Sequence, residues 1–195
     1  MYNKINIEKL TNKTITNLEN HLFKNQIDCL GLEVSFAQNK RRADILMISK
    51  NNNLIGFEIK SDYDNLLRLK SQIDDYEKNF DYTYIVTTLK YFYDIKKLIG
   101  NNIGIILYEN DNMKVTNKAK KSKKINKKYL QSLIDNDYNI NTNEIKELKQ
   151  LAINTLKRKM LPRYSEFKNN YMPPYNDEHF SILNKSQQLL YYLGL

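Results

Sequence analysis

Residues 43–60 read ADILMISKNNNLIGFEIK, and this stretch decides the fold. Two apolar runs of strand length, Ala43 to Ser49 and Leu54 to Lys60, flank a turn-forming run of asparagines at 51–53. A connection this short predicts an antiparallel hairpin. The hairpin would place Asp44 beside Glu58, although thirteen residues separate them in sequence.

Glu58 and Lys60 form one of four Glu-x-Lys pairs, and the others begin at Glu144, Glu147 and Glu166. Residues two apart share a face in a strand, whereas on a helix they diverge by about 200°. The copies at 144 and 147 lie in a helical pattern. Only the copy at 58 alternates as a strand does, so only this pair is predicted to direct both charges to one side.

The remaining pattern predicts the element order α-β-β-β-α-β-α-β. Gly31 is expected to help end the first helix, and Asp64 to cap the second. The strand after the second helix is expected to run parallel to Leu54–Lys60, because a helical crossover joins them. Besides the two strands of the hairpin, the predicted elements are helices over 7–27, 64–79 and 91–99 and strands over 32–38, 82–88 and 103–108.

Composition changes after residue 110, which suggests three parts: a core over 1–110, a lysine-rich linker or loop over 111–128 and a basic, mainly helical C-terminal extension over 129–195. Residues 110–128 contain eight lysines. Such a run is either a solvated loop or an arm that follows phosphates. In the extension, a helical stripe from Ile145 to Met160 is predicted to end at Pro162, and 189–195 is a last apolar stretch.

The formal net charge of +9 favours a polyanionic partner, most simply nucleic acid. Abundant Lys, Asn, Ile and Tyr would also follow from an AT-rich genome, so both explanations stay open. The single cysteine, Cys29, excludes an internal disulfide and a cysteine-based zinc cluster. Without an apolar signal core, the sequence predicts a cytoplasmic protein with no membrane association.

Asp44 and Glu58 supply the oxygen ligands that Mg²⁺ or Mn²⁺ prefers, and the backbone carbonyl of Ile59 is the natural third ligand. Lys60 would add a compact positive charge beside a scissile phosphate or an attacking water. This combination is typical of metal-assisted phosphodiester hydrolysis. The alternative is a surface hairpin that carries a cross-strand ion pair.

In these residues the chain resembles the PD-(D/E)xK nuclease superfamily over roughly residues 15–108. Asp44 matches the first metal carboxylate of that superfamily, Glu58 the second, and Lys60 its lysine. Ala43 replaces the usual proline. The resemblance implies an α/β fold with a mixed sheet, built on a restriction-endonuclease-like α-β-β-β-α-β core to which the helical C-terminal extension is added.

Residues 58–76, EIKSDYDNLLRLKSQIDDY, are similar to a small bacterial group of that superfamily with the signature EIKSDxDxxxRLxxQIxxY. Arg68, Gln72 and Tyr76 are spaced i, i+4 and i+8 and can share one helix stripe. The resemblance implies that Gln72 and Tyr76 support the catalytic residues and that Arg68 contacts DNA. The alternative is a core tyrosine and an exposed amide.

Other candidates lie near the first two strands. Glu33 could assist metal binding or form an edge-strand salt bridge, and Glu19 competes with it as a supplementary acid. Arg41 and Arg42 could bind phosphates, although charged residues are ordinary at the start of a strand.

The sequence and the resemblance together predict a Mg²⁺-dependent DNA phosphodiester hydrolase, an endonuclease of repair, restriction or defence. DNA is favoured over RNA as the substrate. The alternative is a non-catalytic module on the same fold that binds nucleic acid or protein. A homodimer, or a protein partner that docks on the C-terminal extension, is compatible with either function.

Overall fold

The computed structural model describes residues 4–38, 40–135, 138, 140–173 and 175–184, and the apolar stretch predicted at 189–195 lies outside them. The strands are β1 (Ile27–Phe36), β2 (Arg41–Ser49), β3 (Leu54–Lys60), β4 (Tyr82–Thr88), β5 (Gly104–Glu109) and β6 (Asn112–Asn117). The helices are α1 (Ile7–Asn17), α2 (Leu69–Asn79), α3 (Leu89–Leu98), α4 (Lys127–Gln131), α5 (Ile145–Asn170) and α6 (Asp177–Ser181). A π-helical turn, Leu18–Leu22, follows α1.

The six strands form one mixed sheet in sequential order. β1, β2 and β3 make the antiparallel meander that their short connections predict. α2 and α3 then serve as crossovers, so that β3, β4 and β5 are parallel, and β6 returns antiparallel to β5. The mixed α/β architecture is therefore confirmed.

β1 begins at Ile27, earlier than predicted, and the expectation that Gly31 ends the first helix is wrong. Gly31 lies inside β1, where α5 packs against the strand. A Cβ at this position would lie 3.1 Å from Cγ of Met160. A larger residue here would crowd Met160, so the close approach of α5, and not a helix end, accounts for the glycine.

The second helix starts at Leu69, with Arg68 at the N-cap position, so the prediction that Asp64 caps it is wrong. The Asp64 carboxylate accepts hydrogen bonds from the Ser61 N–H at 2.8 Å and the Ser61 hydroxyl at 2.5 Å. A short acidic side chain bonds readily to nearby backbone groups in non-helical conformations. Here Asp64 shapes the loop that connects β3 to α2.

The expected loop or linker over 111–128 contains a strand, because Asn112–Asn117 forms β6. Asn110 and Asp111, both at positive φ, make the tight turn between β5 and β6. The strand is mostly polar and alternates between exposed and half-buried residues. It was missed because a half-exposed edge strand carries only a weak apolar pattern.

Pro162 does not end the C-terminal helix, which runs on to Asn170. A proline inside a helix donates no N–H and crowds the preceding turn. In that turn the guanidinium of Arg163 donates to the carbonyl of Lys159 at 2.6 Å and 3.1 Å. The side chain thus adds a donor to a carbonyl of the turn that the proline crowds.

The described part of the C-terminal region shares a hydrophobic core with the sheet. Leu148, Ala152 and Phe167 of α5 belong to the same buried cluster as Leu46 and Phe57. Between α2, α3 and the parallel strands lies a smaller cluster that includes Ile85 and Ile105. Among the described residues, no helix has both the length and the hydrophobicity that a membrane crossing requires.

Candidate functional site

The carboxylate of Asp44 lies at the junction of β2 and β3. Ile45 is paired with Phe57, which brings Asp44 next to Glu58 one step further along the two strands. Oδ2 of Asp44 accepts a hydrogen bond from the Ile59 N–H at 2.6 Å. The hairpin thus brings Asp44 to the Glu-x-Lys motif, as the sequence predicts.

Glu58 and Lys60 form a buried ion pair on one face of β3. The distance between Lys60 Nζ and Glu58 Oε1 is 2.6 Å, and the two side chains are 8% and 3% exposed, respectively. The alternation of a strand, with two residues per repeat, directs both side chains to the same side. Of the four Glu-x-Lys pairs, those that begin at 144, 147 and 166 lie at the start of α5 or within it.

Gln72 of α2 completes this group by binding both members of the ion pair. Its Nε2 donates to Glu58 Oε1 at 2.6 Å, and its Oε1 accepts from Lys60 Nζ at 3.2 Å. The amide is half-buried. The hydrogen bonds therefore fix Gln72 over the carboxylate and the ammonium.

Tyr76 lies one turn further along α2, with its ring in the core. The ring makes edge contacts with Phe36 and Phe80, with centroids 4.9 Å and 5.3 Å away. Its hydroxyl donates to the carbonyl of Phe57 at 3.3 Å, directly before Glu58. Tyr76 thus anchors α2 on β3, with its ring in the core and its hydroxyl bound to the strand beside Glu58.

The two carboxylates are electrostatically coupled. Burial, and after it the neighbouring Glu58 carboxylate, holds the pKa of Asp44 well above its ordinary value, and the hydrogen bond from Ile59 opposes this shift. Burial also raises the pKa of the Tyr76 phenol, and the charges of Glu58 and Asp44 add to that effect. A cation at this point would relieve the repulsion between the two acids.

The residues present fit a divalent ion with oxygen ligands. Glu58 Oε2 is buried and has no hydrogen-bond partner among the described residues. A buried charged acceptor without a partner is costly, and a hard cation would satisfy it. Because the N–H and carbonyl of one strand residue point to the same neighbouring strand, the Ile59 carbonyl also points to the side of Asp44.

Glu33 does not complete a larger ligand group. It lies in β1 at a positive φ of 50°, between Leu32 and Val34, which pair with the residues on either side of Asp44. Burial raises its pKa, the charge of Arg42 lowers it, and the charge of Glu58 raises it. Within the described ranges, no three His, Cys, Asp or Glu side chains converge on a common point. The candidate ligand set therefore consists of two carboxylates and a carbonyl.

Glu19, the competing supplementary acid, is occupied elsewhere. In the π-helical turn its carboxylate accepts hydrogen bonds from the Tyr164 hydroxyl and from Lys168 Nζ, the latter at 2.6 Å. Both partners lie on α5. Glu19 therefore ties α5 to the N-terminal region and takes no part in the candidate site.

The three predicted DNA-binding arginines differ in their surroundings. Arg41 is paired with Asp75 of α2 at 2.8 Å and also donates to Ser71 at 3.2 Å. Arg42 and Arg68 are exposed. Arg41 thus has a structural partner already, whereas the other two guanidinium groups are accessible to a ligand.

Sequence reasoning missed the residues that surround Asp44 on its open side. A cavity of about 260 Å³ lies there, lined by Asp44, Glu33 and a face of α1 that presents Glu8, Thr11 and Asn12. The spacing i, i+3, i+4 of these three residues marks a common helix face, but nothing in it indicates what that face covers. The segment 180–184 closes the opposite wall of the cavity.

A family model described as bacteriophage P4 protein cII matches residues 3–175 of this chain. The curated protein cII of Enterobacteria phage P4 is 30% identical over 99 residues, which cover 49% of this chain and 37% of that protein. The chain therefore corresponds to well under two thirds of that relative. A solved protein of unknown function from Silicibacter pomeroyi aligns at a TM-score of 0.48 and 12% identity, covering 85% of this chain and 94% of the other. A likeness of that degree does not establish a shared fold.

Proposed function

The chain belongs to the bacteriophage P4 protein cII family, and we propose that this member is a Mg²⁺-dependent nucleic-acid phosphodiester hydrolase with a restriction-endonuclease-like core. DNA is the favoured substrate, and endonucleolytic cleavage the favoured reaction. The proposal rests first on one atom. Glu58 Oε2 is a buried carboxylate oxygen without a protein partner within the described residues, next to a second acid on the neighbouring strand.

Asp44, Glu58 and the carbonyl of Ile59 would hold the metal ion. When bound, Mg²⁺ or Mn²⁺ supplies Lewis acidity and lowers the pKa of a coordinated water. The Ile59 N–H orients Asp44 through Oδ2. Each of these groups stands on a strand of the sheet, and a rigid support of this kind keeps a site in its productive geometry.

Lys60 contributes a fixed positive charge. Its ammonium is held between Glu58 Oε1 and Gln72 Oε1, so it needs little reorganisation to stabilise negative charge that develops on a phosphoryl group. Gln72 in turn keeps the carboxylate and the ammonium at a constant separation. Gln72 is therefore a positioning residue, and Lys60 a catalytic one.

A non-catalytic module on the same fold is the second candidate. One observation favours it: Glu58 and Lys60 already neutralise each other, as a purely structural buried ion pair would. Such a pair does not require Asp44 next to it. Asp44 on β2 raises the free-energy cost of burying these charges. A binding module has no reason to retain an acid that carries such a cost.

Cleavage assays separate the two functions. Supercoiled, linear and single-stranded DNA, and RNA, are incubated with Mg²⁺, Mn²⁺ or EDTA and with wild type, Asp44→Ala, Lys60→Ala or the charge-loss control Lys114→Ala on exposed β6. We expect metal-dependent cutting that both site variants lose and the control retains. A wild type that binds DNA with a steep salt dependence and never cuts would establish the binding module instead.

A further inference from the structure

A second cavity, of about 340 Å³, adjoins the first at Leu32 and Glu33, which line both. Its walls come from β1, β2, the segment after α4 and the C-terminal half of α5. Three cationic side chains contribute to the lining: Arg42, Lys159 and Arg163. The first cavity contains Asp44, so these three cationic side chains lie in the cavity next to the candidate site.

Arg163 is the unusual member of this group. It is half-buried, and burial lowers the pKa of its guanidinium, so its charge is partly removed from water. Nε and Nη2 both donate to the Lys159 carbonyl, which orients the group but does not neutralise it. In the part of the chain that the structure describes, Arg163 forms no ion pair with a carboxylate. A partly desolvated cation of this kind is a suitable partner for an anion.

Arg42 is the second cation available to a ligand. It is exposed, and across the described ranges it too forms no ion pair within 4 Å. Lys159 differs, because Asp135 pairs with it and with Arg158. The acids in the lining are therefore Asp135, which is already paired, and Glu33, whose pKa is raised by burial against the opposing charge of Arg42.

We propose that Arg42 and Arg163 bind a backbone phosphate of the nucleic-acid strand whose adjacent phosphodiester lies at Asp44 and Glu58. This inference rests on the proposed function and adds a role for α5, which then belongs to the substrate-binding surface. A guanidinium suits this task, because its planar array of donors matches phosphate oxygens and remains charged at any physiological pH.

The test measures binding without cleavage. Wild type, Arg42→Gln, Arg163→Gln and the double variant are titrated onto fluorescent single-stranded and duplex DNA and RNA in EDTA, over a range of KCl concentrations. Lys146→Gln is the matched control, since it removes one charge from the exposed start of the same helix, about 25 Å away at 1.5 Å per residue.

The double arginine variant is expected to lower the magnitude of the slope of log K against log[salt] for duplex DNA by about 0.9, because the contact with one phosphate is lost, and each single variant is expected to lower it by part of that amount. A slope change of 0.9 lowers log K by about 0.9 for each tenfold dilution of salt below 1 M. Binding at 0.1 M salt is therefore about eightfold weaker. Lys146→Gln should differ much less from wild type. Arg163→Lys should keep the slope, because the charge remains, which separates binding from a packing role of Arg163. If Arg163→Gln does not fold, Arg42→Gln carries the same comparison.

The inference is overturned if the arginine variants match the lysine control or if wild type binds none of the four ligands. Its failure is distinguishable from that of the proposed function. Metal-dependent cutting that does not depend on either arginine removes only the phosphate subsite. Arginine-dependent binding without any cutting removes only the hydrolase.

Discussion

The Ile59 N–H donates to Asp44 Oδ2 at 2.6 Å, so a backbone group of the Glu-x-Lys strand directly orients the acid of the neighbouring strand. The hairpin is therefore more than a support. It fixes the distance between two carboxylates that repel each other when no metal ion is bound, and this repulsion has a measurable effect on stability.

Asp44→Asn is expected to stabilise the metal-free protein at neutral pH. Burial and Glu58 raise the pKa of Asp44 in the folded state, so between its ordinary and raised values the folded state binds more protons than the unfolded state. Stability is then lost as pH rises through that window. Asparagine never ionises and can still accept from Ile59. We expect a gain of about 1 kcal/mol, or about 2–4 °C in Tm for a chain of this size.

The measurement is urea or thermal unfolding in EDTA at several pH values. The advantage of Asp44→Asn should vanish at acidic pH, where both proteins carry an uncharged side chain, and should be reversed by Mn²⁺. A variant that is less stable than wild type at neutral pH in EDTA would contradict the coupling between the two acids.

Lys60→Ala is expected to destabilise the protein by about 3–5 kcal/mol, because it leaves the Glu58 carboxylate buried without its cation. Urea unfolding measures the loss. The double variant Glu58→Gln/Lys60→Met should recover most of it, since neither charge remains. Equal losses in the single and double variants would show that the unpaired charge of Glu58 is not the cause of the loss.

Gln72→Leu is expected to lower nuclease activity about 10- to 100-fold, the usual cost of removing a group that orients a metal ligand. The leucine fills similar volume but cannot bridge Glu58 and Lys60. Steady-state cleavage at saturating Mg²⁺ measures the effect, with exposed Lys70→Ala on α2 as the control. Unchanged activity would assign Gln72 a purely structural role.

Much of this site could be predicted from sequence, because residues close together in the chain determine the strands that carry it. The strands Leu54–Lys60 and Tyr82–Thr88 have the predicted bounds, since strand alternation and β-branched residues define them without help from the rest of the chain. Two of the failures depended on partners distant in sequence. Whether Gly31 ends a helix or lies under Met160, and which face of α1 meets Asp44, is decided only when the chain has folded.

Arg41→Gln is expected to weaken DNA binding less than Arg42→Gln does, although the two arginines are adjacent in sequence. Arg41 already pairs with Asp75 and Ser71, so a phosphate would have to compete with them. The substitution should instead cost about 0.2–1 kcal/mol of stability, as a partly exposed ion pair does. Binding titrations and unfolding curves of the two variants, measured side by side, test this; the reverse order of affinities would contradict it.

Gly56→Ala is expected to disturb both stability and the site, because α2 packs directly on this residue. A Cβ here would lie 2.5 Å from Cδ2 of Phe80 and 2.8 Å from Cδ1 of Tyr76, two rings that are themselves fully buried. Neither ring can yield without displacing α2. The expected loss is about 1–3 kcal/mol, the usual cost of overpacking a core.

Displacement of α2 would also move Gln72 away from Glu58, so activity should fall even under conditions where Gly56→Ala remains folded. Gly100→Ala is the control, since that glycine is exposed and its closest contact is the amide oxygen of Asn102, at the end of a side chain. We expect the control to stay within about 0.5 kcal/mol of wild type. Full activity in a folded but destabilised Gly56→Ala would mean that α2 tolerates a shift without losing the hydrogen bonds of Gln72, and that the site depends on the hairpin alone.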